Sequence, residues 1–310
     1  LPISKNLNEN KVNTVFGVQG GAVVHIFDSI HEVTDINVCY NHHEQGSALA
    51  AVANAKINKT LGVCVVTTGP ATTNAITGLL SAWQDSVPVL FISGQTRKEQ
   101  TSYGKEVRQR GSQECNIIDV VKPWTKAQFL ITEESDVDQL MKDAIHIAIN
   151  GRKGPVWIDV PVNLQWTERK FKEIPTYQSN NTTAKTLNKE LFNLKTKDLV
   201  KEINSAEKPV FVLGRNFIPQ KVLNKFFKFA ADNSIPILTT WGTAGIVGKK
   251  ANNIGIVGMS GQQAANLALR ISDLAIFINC HFSATQAGNN YTTISKSQKF
   301  CYINIDLNEL

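Results

Sequence analysis

The sequence predicts an α/β fold of two doubly wound domains, each with a mainly parallel sheet flanked by helices. Short apolar runs alternate with helix-length amphipathic segments through both halves of the 310 residues, which is typical of parallel sheets with crossover helices. Residues 62–67 and 87–93 are apolar on both faces, as buried parallel strands are. The length and the hydrophobic content of 42% suit two separate cores.

The first domain is predicted over residues 1–168. Its last predicted helix is followed by Gly151, which is typical of a helix C-cap, and the closing strand follows directly. A helix tail is expected over residues 3–10. The predicted strands are residues 14–18, 36–40, 62–67, 87–93 and 156–160, and the predicted helices are residues 22–30, 44–57, 72–83 and 136–150.

A linker is predicted over residues 169–188, because the alternation lapses there and residues 178–184 are polar and aperiodic. A second domain is predicted over residues 189–310. Since the chain opens on Leu1 and stops soon after a strand, we expect it to be an excerpt of a longer polypeptide. The predicted strands of this domain are residues 210–213, 236–239, 273–278 and 300–305, and its predicted helices are residues 197–205, 221–232 and 261–271.

Composition argues against several classes of protein. The net charge of +6 comes from scattered residues without a dense basic run, so nucleic-acid binding is not predicted. No apolar stretch approaches the roughly 20 residues that span a bilayer, so no membrane span is predicted either. The five cysteines are unclustered, which favours neither disulfides nor a metal site. We expect a cytoplasmic protein in which Cys39, Cys64 and Cys301 are reduced core thiols.

Glu44 is the sharpest functional candidate in the sequence. It follows the apolar strand 36–40 and opens a helix dense in alanine, which would let a flat ligand or another backbone approach closely. A carboxylate enclosed by such small residues is shielded from water and suited to sharing a proton. The alternative is a surface charge that complements the helix dipole. His42 and His43, just before it, are predicted to be polar turn residues.

Two further loops are predicted at the same sheet edge, because each joins a strand to a helix through glycine. Ligands of open α/β folds bind at this carboxyl edge. Gly20 and Gly21 suit an anion-binding or close-approach turn, or only a tight strand-to-helix turn. Thr68, Pro70 and Asn74 offer polar groups at a helix start, or only an N-cap with proline in the first turn.

The second domain also has loops at predicted strand ends. Such loops can hold an adenine nucleotide, or they can belong to a structural domain that binds nothing. The candidate positions are Thr239, Thr240, Gly258, Met259 and Gly261.

Together these segments resemble thiamine-diphosphate-dependent enzymes of the acetolactate synthase type. The resemblance follows the family's order through nearly the whole chain and is specific for the family rather than for its substrate. The matching stretches are residues 15–30, 41–57, 62–96, 113–126, 151–165, 208–214, 236–245 and 258–277.

The resemblance implies that the first domain binds the aminopyrimidine ring of thiamine diphosphate. Glu44 matches the glutamate that shares a proton with the ring nitrogen N1′, and Gln113 is implied to lie near the reacting centre, so both are the implied catalytic residues. The implied chemistry is decarboxylation or carboligation of a 2-keto acid. The implied cofactor contacts are Gly20, Gly21, Glu44, Thr68, Pro70, Asn74 and Gln113.

The family binds the diphosphate and Mg²⁺ through a C-terminal domain with a Gly-Asp-Gly motif, which these 310 residues lack. No metal ligand is therefore assigned within the chain, and the fragment alone is expected to be inactive. Because the cofactor lies between subunits, the resemblance implies a homodimer or tetramer. Some members hold FAD in the middle domain. Thr239, Thr240, Gly258, Met259 and Gly261 match that site, whereas His281 and Ser283 do not.

Departures from the family pattern indicate a substrate other than that of branched-chain acetolactate synthesis. Ser112 stands where those enzymes have Phe, Val162 replaces a Lys, and His281 replaces an Arg implied to select the substrate. Losing Arg removes a permanent charge and a bidentate donor. Two other classes remain open: a flavin- or nucleotide-binding module, and a non-catalytic assembly subunit.

Overall fold

The computed structural model describes residues 2–33, 35–166, 189–214, 218, 220–248, 252–280 and 298–306. The chain divides into two compact units, residues 1–181 and 182–310. Each unit contains one sheet of parallel strands with accompanying helices, which confirms the predicted fold class. The predicted linker, residues 169–188, lies outside the described residues.

In the first unit, the predicted helix 72–83 is two helices that meet at Ala75. The helices are α1 (Pro2–Glu9), α2 (Val24–His31), α3 (Glu44–Asn58), α4 (Pro70–Asn74), α5 (Ile76–Gln84), α6 (Ile117–Val121) and α7 (Val137–Ile149). The strands are β1 (Thr14–Gly17), β2 (Asn37–Tyr40), β3 (Gly62–Val66), β4 (Val89–Gln95), β5 (Ala127–Leu130) and β6 (Val156–Pro161).

The sheet of this unit has the order β2-β1-β3-β4-β6-β5, with every described pairing parallel. Strands β3, β4 and β6 are central and buried along their whole length, as their apolar runs predict. The sequence did not predict β5, because this edge strand is four residues long and only alternately buried. The central position of β3 puts the loop after it beside the loops after β1 and β4.

Small residues let α3 pack closely on its neighbours, as the alanine-rich pattern indicates. A side chain at Gly78 of α5 would overlap Cβ of Ala48 on α3. A side chain at Gly62 of β3 would overlap the carbonyl oxygen of Ala51. The N-terminus of α3 is thereby held against both β3 and α5.

The second unit repeats the parallel arrangement with the order β11-β10-β7-β8-β9. The sequence did not predict β9, which contains Gly255 at φ +126° and a register shift in its pairing with β8. The strands are β7 (Pro209–Leu213), β8 (Ile237–Thr239), β9 (Asn253–Ile256), β10 (Leu274–Ile278) and β11 (Lys299–Ile303). The helices are α8 (Lys189–Ser205), α9 (Gln220–Asp232), α10 (Ala244–Val247) and α11 (Gln263–Ile271).

The prediction of core thiols is correct for Cys64 and wrong for Cys39. Cys64 is buried in the central strand β3, whereas Cys39 is exposed and Cys301 is only half-buried. The reason is that Cys39 lies on β2 at the edge of the sheet, where all four residues are exposed or half-buried.

Among the described helices, none combines the length and the apolar character that crossing a bilayer requires.

Candidate active site

The turn that presents Glu44 is fixed by hydrogen bonds at both ends. His43 has extended backbone, and its Nδ1 accepts a hydrogen bond of 3.1 Å from the Gln45 backbone N–H, which makes it the N-cap of α3. Ser47 donates from Oγ to Oδ1 of Asn41 at 3.0 Å. The sequence predicted only a polar turn here. The structure shows that His43 orders the first turn of the helix.

Glu44 contacts α4, the helix that follows the loop after β3, which we call the third loop. Its Oε2 accepts a hydrogen bond of 2.9 Å from Nδ2 of Asn74, the last residue of α4. Among the described residues, Oε1 of Glu44 accepts no hydrogen bond. The expectation of an enclosed carboxylate is wrong for this chain: Glu44 is half-buried and Asn74 is exposed. The pair is therefore accessible from outside the unit.

Cys64 of β3 lies beneath this carboxylate. Burial, and then the negative charge of Glu44, raise the pKa of the Cys64 thiol well above its usual value. The thiol is therefore neutral and acts as a small apolar side chain. Cys64 therefore adds no charge near Glu44.

The loop after β1, which we call the first loop, approaches the third loop closely at Gly20. The backbone of Gly20 is extended, so its glycine is required by space and not by conformation. A Cβ there would lie 2.6 Å from Cβ and Cγ2 of Thr67. Thr67 Oγ1 also accepts a hydrogen bond of 3.3 Å from the Ala22 backbone N–H. Gly21 is exposed, and a Cβ added to it would meet nothing within 4 Å, so the loop presents open space there.

The third loop needs glycine for a different reason. Gly69 has φ +68° and ψ −124°, a conformation that side chains disfavour, and a Cβ there would also overlap the carbonyl oxygen of Gln113. Pro70 occupies the first turn of α4, as predicted. Thr68 is buried and donates from Oγ1 to Oε1 of Gln95 at 3.0 Å.

Gln113 contacts the third loop through its backbone. Its carbonyl oxygen accepts from Thr68 Oγ1 at 3.4 Å, whereas its side chain is exposed. Gln113 has φ +56°, in the left-handed region.

Gln113 belongs to a longer loop, residues 101–116, which we call the 101–116 loop. Glu114 closes it by accepting hydrogen bonds from Ser102 and from the Arg110 backbone N–H. Burial raises the pKa of Glu114, but these hydrogen bonds outweigh it and the net pKa is lowered.

A buried carboxylate that the sequence did not single out lies below these loops. Asp159 of β6 accepts hydrogen bonds at Oδ1 from Ser93 (2.5 Å) and at Oδ2 from Gln95 (3.0 Å) and Tyr103 (3.1 Å). Burial raises the pKa of Asp159 to about 7, although these hydrogen bonds favour the charged form. The signal was one acid inside the otherwise apolar run 156–160.

In the second unit, the predicted nucleotide positions lie at the ends of the neighbouring strands β8 and β9. Thr239 and Thr240 are buried, and Thr239 donates from Oγ1 to the Gly255 carbonyl at 3.3 Å. Gly258 has φ +112°, and Asn266 holds both of its backbone polar groups and so orders this loop. The remaining two positions are Met259, whose side chain is 72% exposed, and Gly261, where a Cβ would overlap the Ile256 carbonyl.

Among the described residues, no group of three His, Cys, Asp or Glu side chains could hold a metal ion. His281 and Ser283 lie outside those residues.

Comparison with protein families agrees with this geometry. Residues 3–120 match the N-terminal TPP-binding domain of thiamine pyrophosphate enzymes, and residues 196–310 match the central domain of the same enzymes. The chain therefore belongs to the thiamine pyrophosphate (thiamine diphosphate) enzyme family, as the sequence motifs predicted.

Similar curated proteins include acetolactate synthases. The chain is 32% identical to the acetolactate synthase large subunit of Corynebacterium glutamicum, covering 99% of this chain and 48% of the relative. It is 30% identical to the large subunit of Haemophilus influenzae, covering 98% of this chain and 52% of the relative. A probable large subunit of Methanocaldococcus jannaschii is also 30% identical, with 99% and 51% covered. The chain spans about half the length of these relatives.

Proposed function

We propose that this chain supplies the pyrimidine-binding site of a thiamine-diphosphate-dependent enzyme that decarboxylates or joins 2-keto acids. The observation that carries the proposal is the Glu44–Asn74 pair. Asn74 holds Oε2 at 2.9 Å, and Oε1 accepts no hydrogen bond from the described residues. One oriented carboxylate oxygen thus remains for a ligand at the carboxyl edge of the sheet.

Neighbouring residues support the proposal that an aminopyrimidine ring binds here. Gly20 and Gly69 allow close contacts with Thr67 and Gln113 at the same sheet edge, and the neutral Cys64 thiol adds no charge near Glu44. Gly21, Thr68, Pro70 and Gln113 belong to the loops that border the same edge. When bound, thiamine diphosphate supplies an electron sink for breaking the bond beside the keto acid's carbonyl. The role of Glu44 is to hold a proton at Oε1 against the ring nitrogen.

Replacing Glu44 tests this function in the full-length gene product. Glu44→Gln keeps the shape and the hydrogen-bonding capacity but cannot exchange a proton at this position. We expect turnover of a 2-keto acid to fall by about 10²–10⁴-fold. Glu32→Gln, an exposed residue at the end of α2, is the matched control and should change nothing. Unchanged turnover in Glu44→Gln would favour the alternative of a non-catalytic assembly subunit.

For the substrate, we propose a 2-keto acid or an acceptor different from those of branched-chain acetolactate synthesis. Ser112 and Val162 are smaller than the Phe and Lys of the family pattern, and Val162 removes a positive charge. A product screen with pyruvate alone, pyruvate plus 2-ketobutyrate, and pyruvate plus an aldehyde tests this. Acetolactate from pyruvate alone and 2-aceto-2-hydroxybutyrate from the mixture with 2-ketobutyrate, without a product of the aldehyde, would contradict it.

The diphosphate and Mg²⁺ are proposed to bind to residues outside this chain, because Gly-Asp-Gly does not occur in it. The 310-residue chain alone should then bind thiamine diphosphate weakly and show no turnover, and calorimetric titration measures the binding.

We also propose that the protein is a homodimer or tetramer in the cytoplasm. The assembly is supported by the exposed apolar side chains Leu49 on α3 and Trp83 on α5. Light scattering of the purified protein measures the assembly.

A second candidate function is flavin or nucleotide binding by the second unit. Its support is the ordered loop of Gly258 and Asn266, which borders Thr239 and Thr240 at the carboxyl edge of the second sheet. An absorption spectrum of the purified full-length protein distinguishes the two ligands. A yellow chromophore together with thiamine dependence would indicate that both sites are used, and the chromophore without thiamine dependence would favour a flavin module.

A further inference from the structure

The carboxylate of Asp159 connects two loops that border the proposed cofactor site. It is fully buried on β6, and its Oδ2 accepts from both Gln95 (3.0 Å) and Tyr103 (3.1 Å). Tyr103 belongs to the 101–116 loop. Gln95, the last residue of β4, contacts the Thr68–Pro70 turn. One buried oxygen atom is therefore shared by the supports of both loops.

Gln95 makes the second half of the connection. Its Oε1 accepts from Thr68 Oγ1 at 3.0 Å, and its Nε2 donates both to the Cys115 carbonyl at 2.8 Å and to Asp159. Its amide orientation is fixed, because Nε2 can only donate and faces two acceptors. Gln95 therefore joins the Thr68–Pro70 turn to the far end of the 101–116 loop.

We infer that Asp159 is a positioning residue: its Oδ2 holds Tyr103 and Gln95 together and thereby fixes the 101–116 loop, with Gln113, against the Thr68–Pro70 turn. Only the consequence for catalysis depends on the proposed function, through Gln113. The connection itself is a property of the first unit and does not require a bound cofactor.

The direction of the hydrogen bonds supports this role. Trp157 donates from Nε1 to Ser93 Oγ at 2.8 Å, and Ser93 donates onward to Oδ1 of Asp159. Ser93, Gln95 and Tyr103 thus each donate to Asp159, which accepts at both oxygens. The titratable groups facing it are Tyr103 and Cys115, and burial first, then the charge of Asp159, raise the pKa of each. Both stay neutral, so Tyr103 retains the proton that it donates.

The network also predicts which substitutions preserve the connection. In Asp159→Asn, the amide oxygen can still accept from Gln95 and Tyr103, while the amide nitrogen can donate to Ser93 Oγ. In Asp159→Ala both acceptors are lost. In Tyr103→Phe only the donor from the loop is lost, at a half-buried position where folding is not at risk.

Limited trypsin digestion of the full-length gene product without added cofactor tests the inference. The 101–116 loop contains three exposed trypsin sites, Lys105, Arg108 and Arg110. Cleavage there is measured by mass spectrometry relative to cleavage at the exposed Lys11. Because the loop loses its hydrogen bond to Asp159, we expect about fivefold to tenfold faster loop cleavage in Tyr103→Phe and Asp159→Ala. Asp159→Asn should stay within about twofold of the wild type.

The control is Tyr302→Phe, the same chemical change in the second unit, which should leave loop cleavage unchanged. Unchanged cleavage in Tyr103→Phe, or equal acceleration in Tyr302→Phe, would overturn the inference. Acceleration in Asp159→Asn as large as that in Asp159→Ala would also overturn it. Because the digestion contains no cofactor, its result is independent of whether Glu44 acts on thiamine diphosphate.

Discussion

Asn74 donates a hydrogen bond from Nδ2 to Oε2 of Glu44 at 2.9 Å, so the end of α4 orients the first side chain of α3. The two residues lie 30 positions apart and belong to helices that follow different strands, β2 and β3. The contact orients the carboxylate through Oε2 and leaves Oε1 without a hydrogen bond from the described residues.

Asn74→Ala should therefore reduce turnover without unfolding the protein. Because the bond is to a charged acceptor at an exposed position, we expect kcat of the full-length product to fall by about tenfold, with the thermal midpoint unchanged. The matched control is Asn58→Ala, which removes a 2.6 Å hydrogen bond to Asn54 at the opposite end of α3 from Glu44. Equal losses in both variants would contradict an orienting role for Asn74.

Gly69→Ala should destabilise the first unit more than Gly151→Ala. Both glycines have positive φ, +68° and +62°, but only Gly69 would place a Cβ onto the Gln113 carbonyl, whereas Gly151 has nothing within 4 Å. We expect a loss of about 1 kcal/mol for Gly151→Ala and roughly 3 kcal/mol for Gly69→Ala. Urea denaturation measures both, and similar losses would show that the contact with Gln113 is unimportant.

The stability of the first unit should depend on pH through Asp159. Its pKa is about 7 in the folded chain against 3.8 as the reference value, so the folded state holds the proton more tightly. This contribution is complete below pH 3.8 and is lost as the pH rises through 7.

Relative to Asp159→Asn, which does not titrate, the free energy of unfolding of the wild type should fall by roughly 2–4 kcal/mol between pH 4 and pH 8. Urea denaturation of both proteins across this range measures the difference. A constant difference between them would contradict the raised pKa.

Cysteine labelling should separate the strands by burial. Cys39 on the edge strand β2 is exposed, whereas Cys64 on β3 is buried, with its pKa raised by burial and by Glu44. Since the thiolate is the reactive form, we expect iodoacetamide to label Cys39 at least about 100-fold faster than Cys64 in the native protein. Equal rates in urea are the control. Rapid labelling of Cys64 in the native protein would show that the reagent reaches this thiol and would contradict its burial.

The sequence predicts most of the fold because burial determines both the apolar pattern of the sequence and the position of each strand in the sheet. Strands β3, β4 and β6 are buried on both faces, and their uninterrupted apolar runs were sufficient to place them. The short edge strand β5 and the irregular β9 have no such run. The start of α3 at Glu44 was also predicted, because a strand, a polar turn and an alanine-rich helix follow one another there.

Contacts within the site were harder to predict because they join distant segments. Glu44 and Asn74 were both candidates, but their hydrogen bond depends on where α4 ends. Asp159 was missed because a single acid in an apolar strand gives no sign of its partners. One of those partners is Tyr103, on the 101–116 loop. No local sequence pattern predicts the left-handed conformation of Gln113 in that loop.

The central claim is that Glu44 controls a proton on the cofactor. Its most direct test is the rate at which the C2 proton of thiamine diphosphate, bound to the full-length gene product, exchanges with deuterium. NMR after rapid acid quench measures this rate without any keto acid substrate. The account predicts fast exchange in the wild type and in Glu32→Gln, and exchange slower by about 10²-fold or more in Glu44→Gln. Exchange at the wild-type rate in Glu44→Gln, with the cofactor bound, would contradict it.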